Sequence, residues 1–243
     1  MQPLLSIIVV TYNAAATLQG TLESVWAQDG DWWELLVIDG ASTDGTAEIV
    51  KRQAGCLAYW QSQPDRGIYD AMNQGVDRAR GQWLYFLGAD DQLEPGVLAQ
   101  VQPFLREPAV LCYGDVRFSN GAVMQSAMNS RMVFQNMVHH QAAFYHRSLF
   151  ADFRYDTSLR ILSDYELNLR IYLQGLPTRR MDLTIAHCYA GGASSQLPLS
   201  LRETNQVRRR YLSGRWRNAL YDWLLTAYYA QKRVRARLIP TSA

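Results

Sequence analysis

Two adjacent carboxylates, Asp90 and Asp91, follow the apolar run Trp83 to Leu87 and the small pair Gly88-Ala89. Such a run is short enough for a buried strand, so the carboxylates stand where that strand leaves its sheet. Two hard oxygen donors at a sheet edge suit Mg²⁺ or Mn²⁺ carrying the phosphates of a ligand. Asp91 also suits the cap of a following helix, which Pro95 announces. One cap does not need two carboxylates, so the pair favours the cation.

The elements that must position these carboxylates are legible upstream. Leu4 to Val10 is an apolar, β-branched run ending in Thr11-Tyr12-Asn13, and Leu18, Leu22, Val25 and Trp26 then repeat at helical spacing. Glu34 to Asp39 and Leu57 to Ser62 read as further strands. Between them lie the turn-rich GASTDGT, where Thr43 or Asp44 can cap the helix AEIVKRQA, and after them come QPDRG and the helix IYDAMNQGVDRA. Strands alternating with short helices predict right-handed crossovers and a largely parallel α/β sheet. The polar loops Thr11 to Asn13, Asp39 to Thr46, Asp65 to Gly67 and Gly88 to Asp91 each follow a strand, so they gather along one edge, where nucleotides bind in such sheets. Asp39 can accept hydrogen bonds from a base or ribose, and Arg66 offers a planar fork for phosphate. The chain contains neither GxGxxG nor GxxxxGK[ST], which excludes a dinucleotide-binding Rossmann fingerprint and a P-loop and leaves phosphates to a metal and side chains.

Taken together, Thr11-Tyr12-Asn13, DGASTDGT (39–46), DRGIYDAMNQG (65–75) and GADD (88–91), in this order and spacing, resemble the family 2 glycosyltransferases of the GT-A fold, in particular those of bacterial surface-polysaccharide assembly. The resemblance covers the first two fifths of the chain. It implies a Rossmann-like, mostly parallel central sheet flanked by helices, and sugar transfer with inversion from a nucleotide-sugar donor, with UDP expected as the nucleotide. The acceptor it implies is a lipid-linked oligosaccharide at the inner face of a cell membrane. Carried over position by position, Thr11, Tyr12, Asn13 and Asp39 contact the nucleoside and Asp65, Arg66 and Gly67 face the diphosphate. Asp90 binds Mn²⁺ or Mg²⁺, with Asp91 among the nucleotide-sugar contacts. The family's first DxD carboxylate is Gly88 here, so Asp90 carries the metal without it.

Downstream, VLCYGDVRF and AVMQSA resemble a hairpin around Ser119-Asn120-Gly121, and residues 139–150 read as strand then helix. Acceptor-binding parts are expected there. A helix begins near Ser163, with Asp164 at its mouth, where Asp is a favoured cap. The resemblance instead makes Asp164 the catalytic base of an Glu-Asp pair whose first member is Ser163. His139, His140 and His146 fit acceptor contacts or structural hydrogen bonds, since HHQ lacks the spacing of converging metal ligands. The resemblance offers His187 as a ligand near the metal.

The predicted domains are 1–201, divided into a nucleotide-binding half (1–95) and an acceptor-binding half (96–201), and a basic amphipathic helical tail (202–243). That tail carries ten Lys/Arg against two acids, leaving 14 basic against 20 acidic residues before it. Trp216, Leu220, Trp223, Leu224, Ala227 and Tyr228 share a helical face, suiting an anionic membrane surface or packing on the body. No nucleic-acid module is recognisable and the body is acidic, so nucleic acid is not expected as a partner. Cys56, Cys112 and Cys188 show no CxxC, so neither disulfides nor zinc are indicated and a reducing cytoplasm is expected. No signal peptide and no transmembrane helix are expected. The rival readings are a nucleotidyltransferase and a non-catalytic nucleotide- or sugar-binding module.

Overall fold

The structure, a computed structural model, describes residues 2–189, 197–214, 216 and 218–226. The first half follows the alternation of the sequence: β1 (Leu5–Thr11), α1 (Leu18–Trp26), β2 (Trp33–Asp39), α2 (Thr46–Arg52), β3 (Tyr59–Ser62), α3 (Ile68–Arg78) and β4 (Trp83–Gly88). All seven residues of β1 are buried. Its alternate side chains enter different cores, Leu5, Ile7 and Val9 on one face and Ile8 and Val10 on the other. This is why the strand reads as a continuous apolar run rather than an alternating one, since helices cover both faces. Each fully buried Leu or Ile contributes roughly 1.5–3 kcal/mol. Helix α3 approaches β1 so closely that a Cβ on Gly75 would stand 2.4 Å from Ile8 Cγ2.

The chain continues through β5 (Gln92–Leu93), α4 (Val97–Val101), β6 (Leu111–Phe118), β7 (Val123–Met124), β8 (Ala143–His146), α5 (Ser163–Leu173), β9 (Thr178–Cys188) and α6 (Leu197–Tyr211). The sheet runs β3-β2-β1-β4-β8-β6-β9-β5, with β7 on β6. Strands β3 to β4 are parallel, whereas β8 is antiparallel to both β4 and β6, so the sheet as a whole is mixed. The predicted hairpin forms, with Val116 opposite Met124. The predicted helix after β8 is only a 3₁₀ turn, Arg147–Phe150, as is the His140–Ala142 segment before it.

Helix α6 straddles the boundary predicted at residue 201. Val207 is buried in a third apolar cluster with Met132, Leu162, Tyr165 and Leu169, and Glu203, Thr204 and Arg208 are also buried. Arg210 pairs with Glu166 of α5 and with Asp156. The opening of the predicted tail is thus part of the body, because its polar residues answer polar groups of α5 and the chain before it. The segment 218–226 is helical, while Ala227 and Tyr228 of the predicted apolar face lie outside the described residues. Among the described residues no helix is long and apolar enough to cross a membrane.

Candidate functional site

Strands β1, β2, β3 and β4 end in register, Thr11 beside Asp39, Asp39 beside Ser62 and Val10 beside Gly88. The loops that leave them enclose a cavity of about 970 Å³. Its wall contains Thr11, Tyr12, Asn13, Asp65, Gly67 and Asp90 of the predicted residues, together with Ala14, Gly40, Ala41, Pro64, Ile68 and Ala71. Asp39, Arg66, Asp91, Asp164 and His187 are not in that wall.

The first two loops are laced together by hydrogen bonds. Asn13 N donates to Ser42 Oγ (2.7 Å), Thr43 N donates to Asn13 Oδ1 (2.9 Å), and Ala15 N donates to Asp44 Oδ2 (3.0 Å). Asn13 takes a φ of +49°, a left-handed conformation that Asn tolerates better than most residues. Asp44 Oδ1 also accepts from Thr46 N (3.0 Å) at the start of α2, so it serves the helix end from one residue before the left-handed Gly45. Thr11 Oγ1 is buried without a partner, a polar atom with unused capacity beside the cavity.

Asp39 is fully buried, and its carboxylate accepts from Ser42 N (3.1 Å), Ser42 Oγ (2.5 Å) and Ser62 Oγ (2.5 Å). The acceptor capacity that the sequence suggested for a nucleoside is largely used in holding the second loop. Asp65 is better placed. Its Oδ1 accepts from Gly67 N (2.7 Å), and its Oδ2 lies where a Cβ on Gly40 would come within 2.7 Å, close to the Tyr12 ring. Burial raises its pKa, with the charges of Asp70 and Asp39 adding to the rise. Arg66 is exposed and paired with Asp70 at 2.8 Å, which raises its pKa.

The two carboxylates after β4 divide their work. Asp90 is exposed in the cavity wall, whereas Asp91 is buried and accepts from Gln141 Nε2 (2.5 Å) and Tyr189 N (3.2 Å). It caps no helix, for α4 begins after Gly96. Burial, then the charge of Asp90, pushes the Asp91 carboxyl up to about 6. A Cβ on Gly88 would meet Asp91 Oδ2 at 2.6 Å and Asp90 Oδ1 at 3.1 Å, so both carboxylates crowd the position where the first DxD carboxylate is missing. An exposed carboxylate with a second beside it fits a divalent ion that keeps water and phosphate as its other ligands. Among the described residues no group of three or more His, Cys, Asp or Glu converges as a protein-only metal cage. His187 lines a separate cavity with Gln92, Glu94 and Arg117, since its strand residue pairs with Gln92 across β5 and β9. That placement removes it from the cavity that Asp90 faces.

Asp164 lies one residue inside α5 and is only 5% exposed. The N-cap is Leu162, without a side-chain bond, so Asp164 is not the cap. Its Oδ1 accepts from Tyr69 Oη (3.1 Å) and its Oδ2 from Asn136 Nδ2 (2.7 Å), with His140 Nδ1 at 4.0 Å. Burial raises the Asp164 pKa, and the Tyr69 hydroxyl opposes that rise. Tyr69 follows Ile68 in the first turn of α3, so neighbouring residues touch the cavity and Asp164. His139 and His140 stack, and burial pushes both rings down to about 4, leaving them neutral near pH 7. The HHQ turn therefore reaches Asp164 through His140 and Asp91 through Gln141.

Tyr69, Asn136 and Gln141 are functional candidates that the sequence did not single out. Tyr69 sits in a quoted motif, but helical periodicity makes it look like core. Asn136 and Gln141 carried no local signal.

A family model described as Glycosyl transferase family 2 matches residues 6–164. The chain is 39% identical over 220 residues to a PGL/p-HBAD biosynthesis glycosyltransferase of Mycobacterium tuberculosis, covering 82% of this chain and 86% of that protein. Among solved structures it resembles the mannosyltransferase PcManGT of Pyrobaculum calidifontis in complex with GDP-Man and Mn²⁺, with a TM-score of 0.71 at 22% identity, over 98% of this chain and 76% of that one. It also resembles residues 1–349 of S. aureus TarS in complex with UDP-GlcNAc, with a TM-score of 0.67 at 20% identity, over 93% and 71% of the two chains.

Proposed function

The chain belongs to glycosyl transferase family 2, and from that premise we propose that it moves one sugar from a nucleoside-diphosphate donor to a hydroxyl of a lipid-linked oligosaccharide, with inversion. It is a glycosyltransferase with the GT-A fold. UDP is the expected nucleotide, as in the TarS complex it resembles. The observation that carries the reading is the cavity at the ends of the parallel strands, with Asp90 and Ile68 in its wall and Asp164 bonded to Tyr69, the next residue after Ile68.

The residues divide the reaction as follows. Tyr12, Asp65 and the backbone of Gly40 and Ala41 form the part of the wall that suits a nucleoside, while Asp90 and the Gly88 turn form the part that suits the diphosphate. Asp90 would hold Mn²⁺ or Mg²⁺ there, with Asp91 behind it, and such an ion supplies charge neutralisation for a leaving diphosphate. Asp164 accepts the proton of the attacking acceptor hydroxyl, an anionic role supported by the two donors on its oxygens. Arg66, the exposed member of its pair with the half-buried Asp70, would exchange that partner for a phosphate, since an ion pair open to water on one side is worth little.

An acceptor on a membrane is supported by the helical segment 218–226 and its neighbour Trp216. Trp216 is 91% exposed, Trp223 65% and Leu220 54%, whereas Leu225 is buried and Tyr221 meets Phe134 edge-on. One face is thus held by the body and the other offers tryptophans to an interface, in a stretch of sequence rich in arginine, which favours anionic headgroups. The enzyme is accordingly proposed to work as a peripheral protein on the cytoplasmic side of the membrane.

The deciding assay is transfer from UDP-sugars to a lipid-linked acceptor, with and without EDTA. Asp90→Ala should abolish transfer in a folded protein, and Asp164→Asn should lower kcat by about 10²–10⁴-fold at unchanged nucleotide affinity. Full activity in EDTA removes the metal. Release of pyrophosphate, or nucleotide binding without transfer, points instead to a nucleotidyltransferase or a binding module. Serine at Trp216, Leu220 and Trp223 together should abolish sedimentation with anionic liposomes while leaving a soluble acceptor's turnover unchanged. Deletion from residue 201 cannot serve here, because it removes the buried residues of α6.

A further inference from the structure

Beneath Asp164 lies a buried chain of hydrogen bonds whose direction is fixed by one backbone carbonyl. Asn168 Nδ2 donates to Val138 O (3.2 Å), which can only accept. That contact orients the Asn168 amide, so its Oδ1 accepts from Tyr145 Oη (3.0 Å) and its Nδ2 also donates to Asn136 Oδ1 (3.1 Å). With its oxygen committed to Asn168, Asn136 can turn only its Nδ2 toward Asp164, where it donates at 2.7 Å. Asn168 and Tyr145 are fully buried and belong to α5 and β8, so the orientation is anchored in rigid elements.

We propose that Asn136, oriented by Asn168 and Tyr145, is a positioning residue that holds the Asp164 carboxylate in one rotamer and in its anionic form for proton acceptance. This rests on the reading of Asp164 as the base. The carboxylate meets Tyr69 from α3, Asn136, His139 and His140 from the segment before β8, and Tyr145 and Tyr155 beyond them. The one nearby carboxylate of its own helix, Glu166, is engaged with Arg210. The Tyr69 hydroxyl, then His139 and the backbone N–H groups of Tyr165 and Asp164, offset burial at Asp164, and Asn136 adds the donor on Oδ2, the shorter of the two side-chain hydrogen bonds at 2.7 Å. Asn136 is itself only partly buried, so its side chain can be changed without opening the deep core.

The test is the pH profile of kcat for sugar transfer, with nucleotide affinity measured alongside. Asn136→Leu should lower kcat by about tenfold or more near pH 7 and move the acid limb up by about one pH unit, since losing a donor to the charged form raises a carboxyl pKa. Nucleotide affinity should stay at the wild-type value. Asn168→Leu, which removes no side-chain hydrogen bond of Asp164 itself and lies outside the cavity wall, should move the limb in the same direction by a smaller step. If Asn136→Leu fails to fold, Asn136→Ala removes the donor without adding bulk and decides the matter. A wild-type acid limb and kcat in the folded Asn136 variant overturns the proposal, provided Asp164→Asn is inactive. Should Asp164→Asn keep full transfer, the base assignment itself falls, and the two failures are thus told apart.

Discussion

Glu203 is the residue by which α6 holds the start of the helix that carries Asp164. Its carboxylate accepts three successive backbone N–H groups, Arg160 (2.8 Å), Ile161 (3.0 Å) and Leu162 (3.0 Å), and the residue is 4% exposed. Glu203→Ala leaves these three donors facing an apolar gap. Each buried unmet group costs about 1–3 kcal/mol, and relaxation of the loop recovers part of it, so a total of about 3–5 kcal/mol is expected. For a chain of this size 1 kcal/mol corresponds to about 2–4 °C, which places the fall in Tm near 10 °C. Glu203→Gln keeps one acceptor oxygen and should lose roughly half as much. Thermal and urea unfolding followed by circular dichroism measure both variants. Because Leu162 is the N-cap of α5, transfer should fall in Glu203→Ala below the melting range while nucleotide affinity holds. A Tm drop of less than about 2 °C would refute the reasoning and restore residues 202 onward to an independent tail.

Three further outcomes are expected. Gly75→Ala drives a methyl to within 2.4 Å of Ile8 Cγ2 and should cost about 1–3 kcal/mol by overpacking, read from the urea midpoint. Because the His139 and His140 rings lie near pKa 4 in the fold and higher in the unfolded chain, stability is fully present above about pH 6.5 and is lost as pH falls through about 4; His140→Gln should flatten that acid slope in unfolding measured from pH 7 to 4. Asp65→Ala should weaken UDP affinity more than Ser42→Ala does, measured by calorimetry, if the cavity-facing carboxylate reads the nucleoside.

The first half of the fold was legible because each element is local. Leu18, Leu22 and Val25 announce α1 and belong to its buried face, and β1, β2 and β4 are apolar over most of their length because both faces are covered. The mixed half was not legible as a sheet, since β8 joins β4 and β6 across long separations and its four residues resemble any short apolar run. The same difference governs the site. Thr11, Asp65 and Asp90 follow strands whose ends are in register, so motif order was enough to bring them to one cavity. Asp39 has the same position but a different fate, because Ser42 and Ser62 reach it first, and serine pairing across loops has no pattern in sequence. His187 lines a different cavity for a related reason: a strand turns alternate side chains to opposite faces, and its register with Gln92 depends on β5, a two-residue strand. The helical tail was read from composition, which gives amphipathicity but not which residues are already answered by Glu166, Asp156 and Asp222.

Gln141 ties the carboxylate pair after β4 to the turn that also touches Asp164, and its loss should be felt at the donor end. Its amide donates to Asp91 Oδ2 at 2.5 Å while Tyr85 Oη holds its backbone carbonyl at 2.9 Å. Among the described residues Asp91 keeps the Tyr189 N–H at 3.2 Å and the Cys188 thiol as its other donors, in a site whose burial already favours the neutral acid. Removing a hydrogen bond to a buried charged group costs about 1.5–3 kcal/mol, so Gln141→Leu should lower Tm by about 4–8 °C. Gln141→Glu should cost more, because it sets a second carboxylate against the first. In Asp91→Asn the donor and acceptor roles can be exchanged, so Gln141→Glu combined with Asp91→Asn should recover part of the loss, giving a favourable coupling in a double-mutant cycle. Donor affinity should track the same order, since Asp90 is the next residue and shares the turn over Gly88. Additive losses in the cycle, or a Gln141→Glu protein as stable as the wild type, would mean that Asp91 is held without Gln141, by Tyr189 N and the Cys188 thiol.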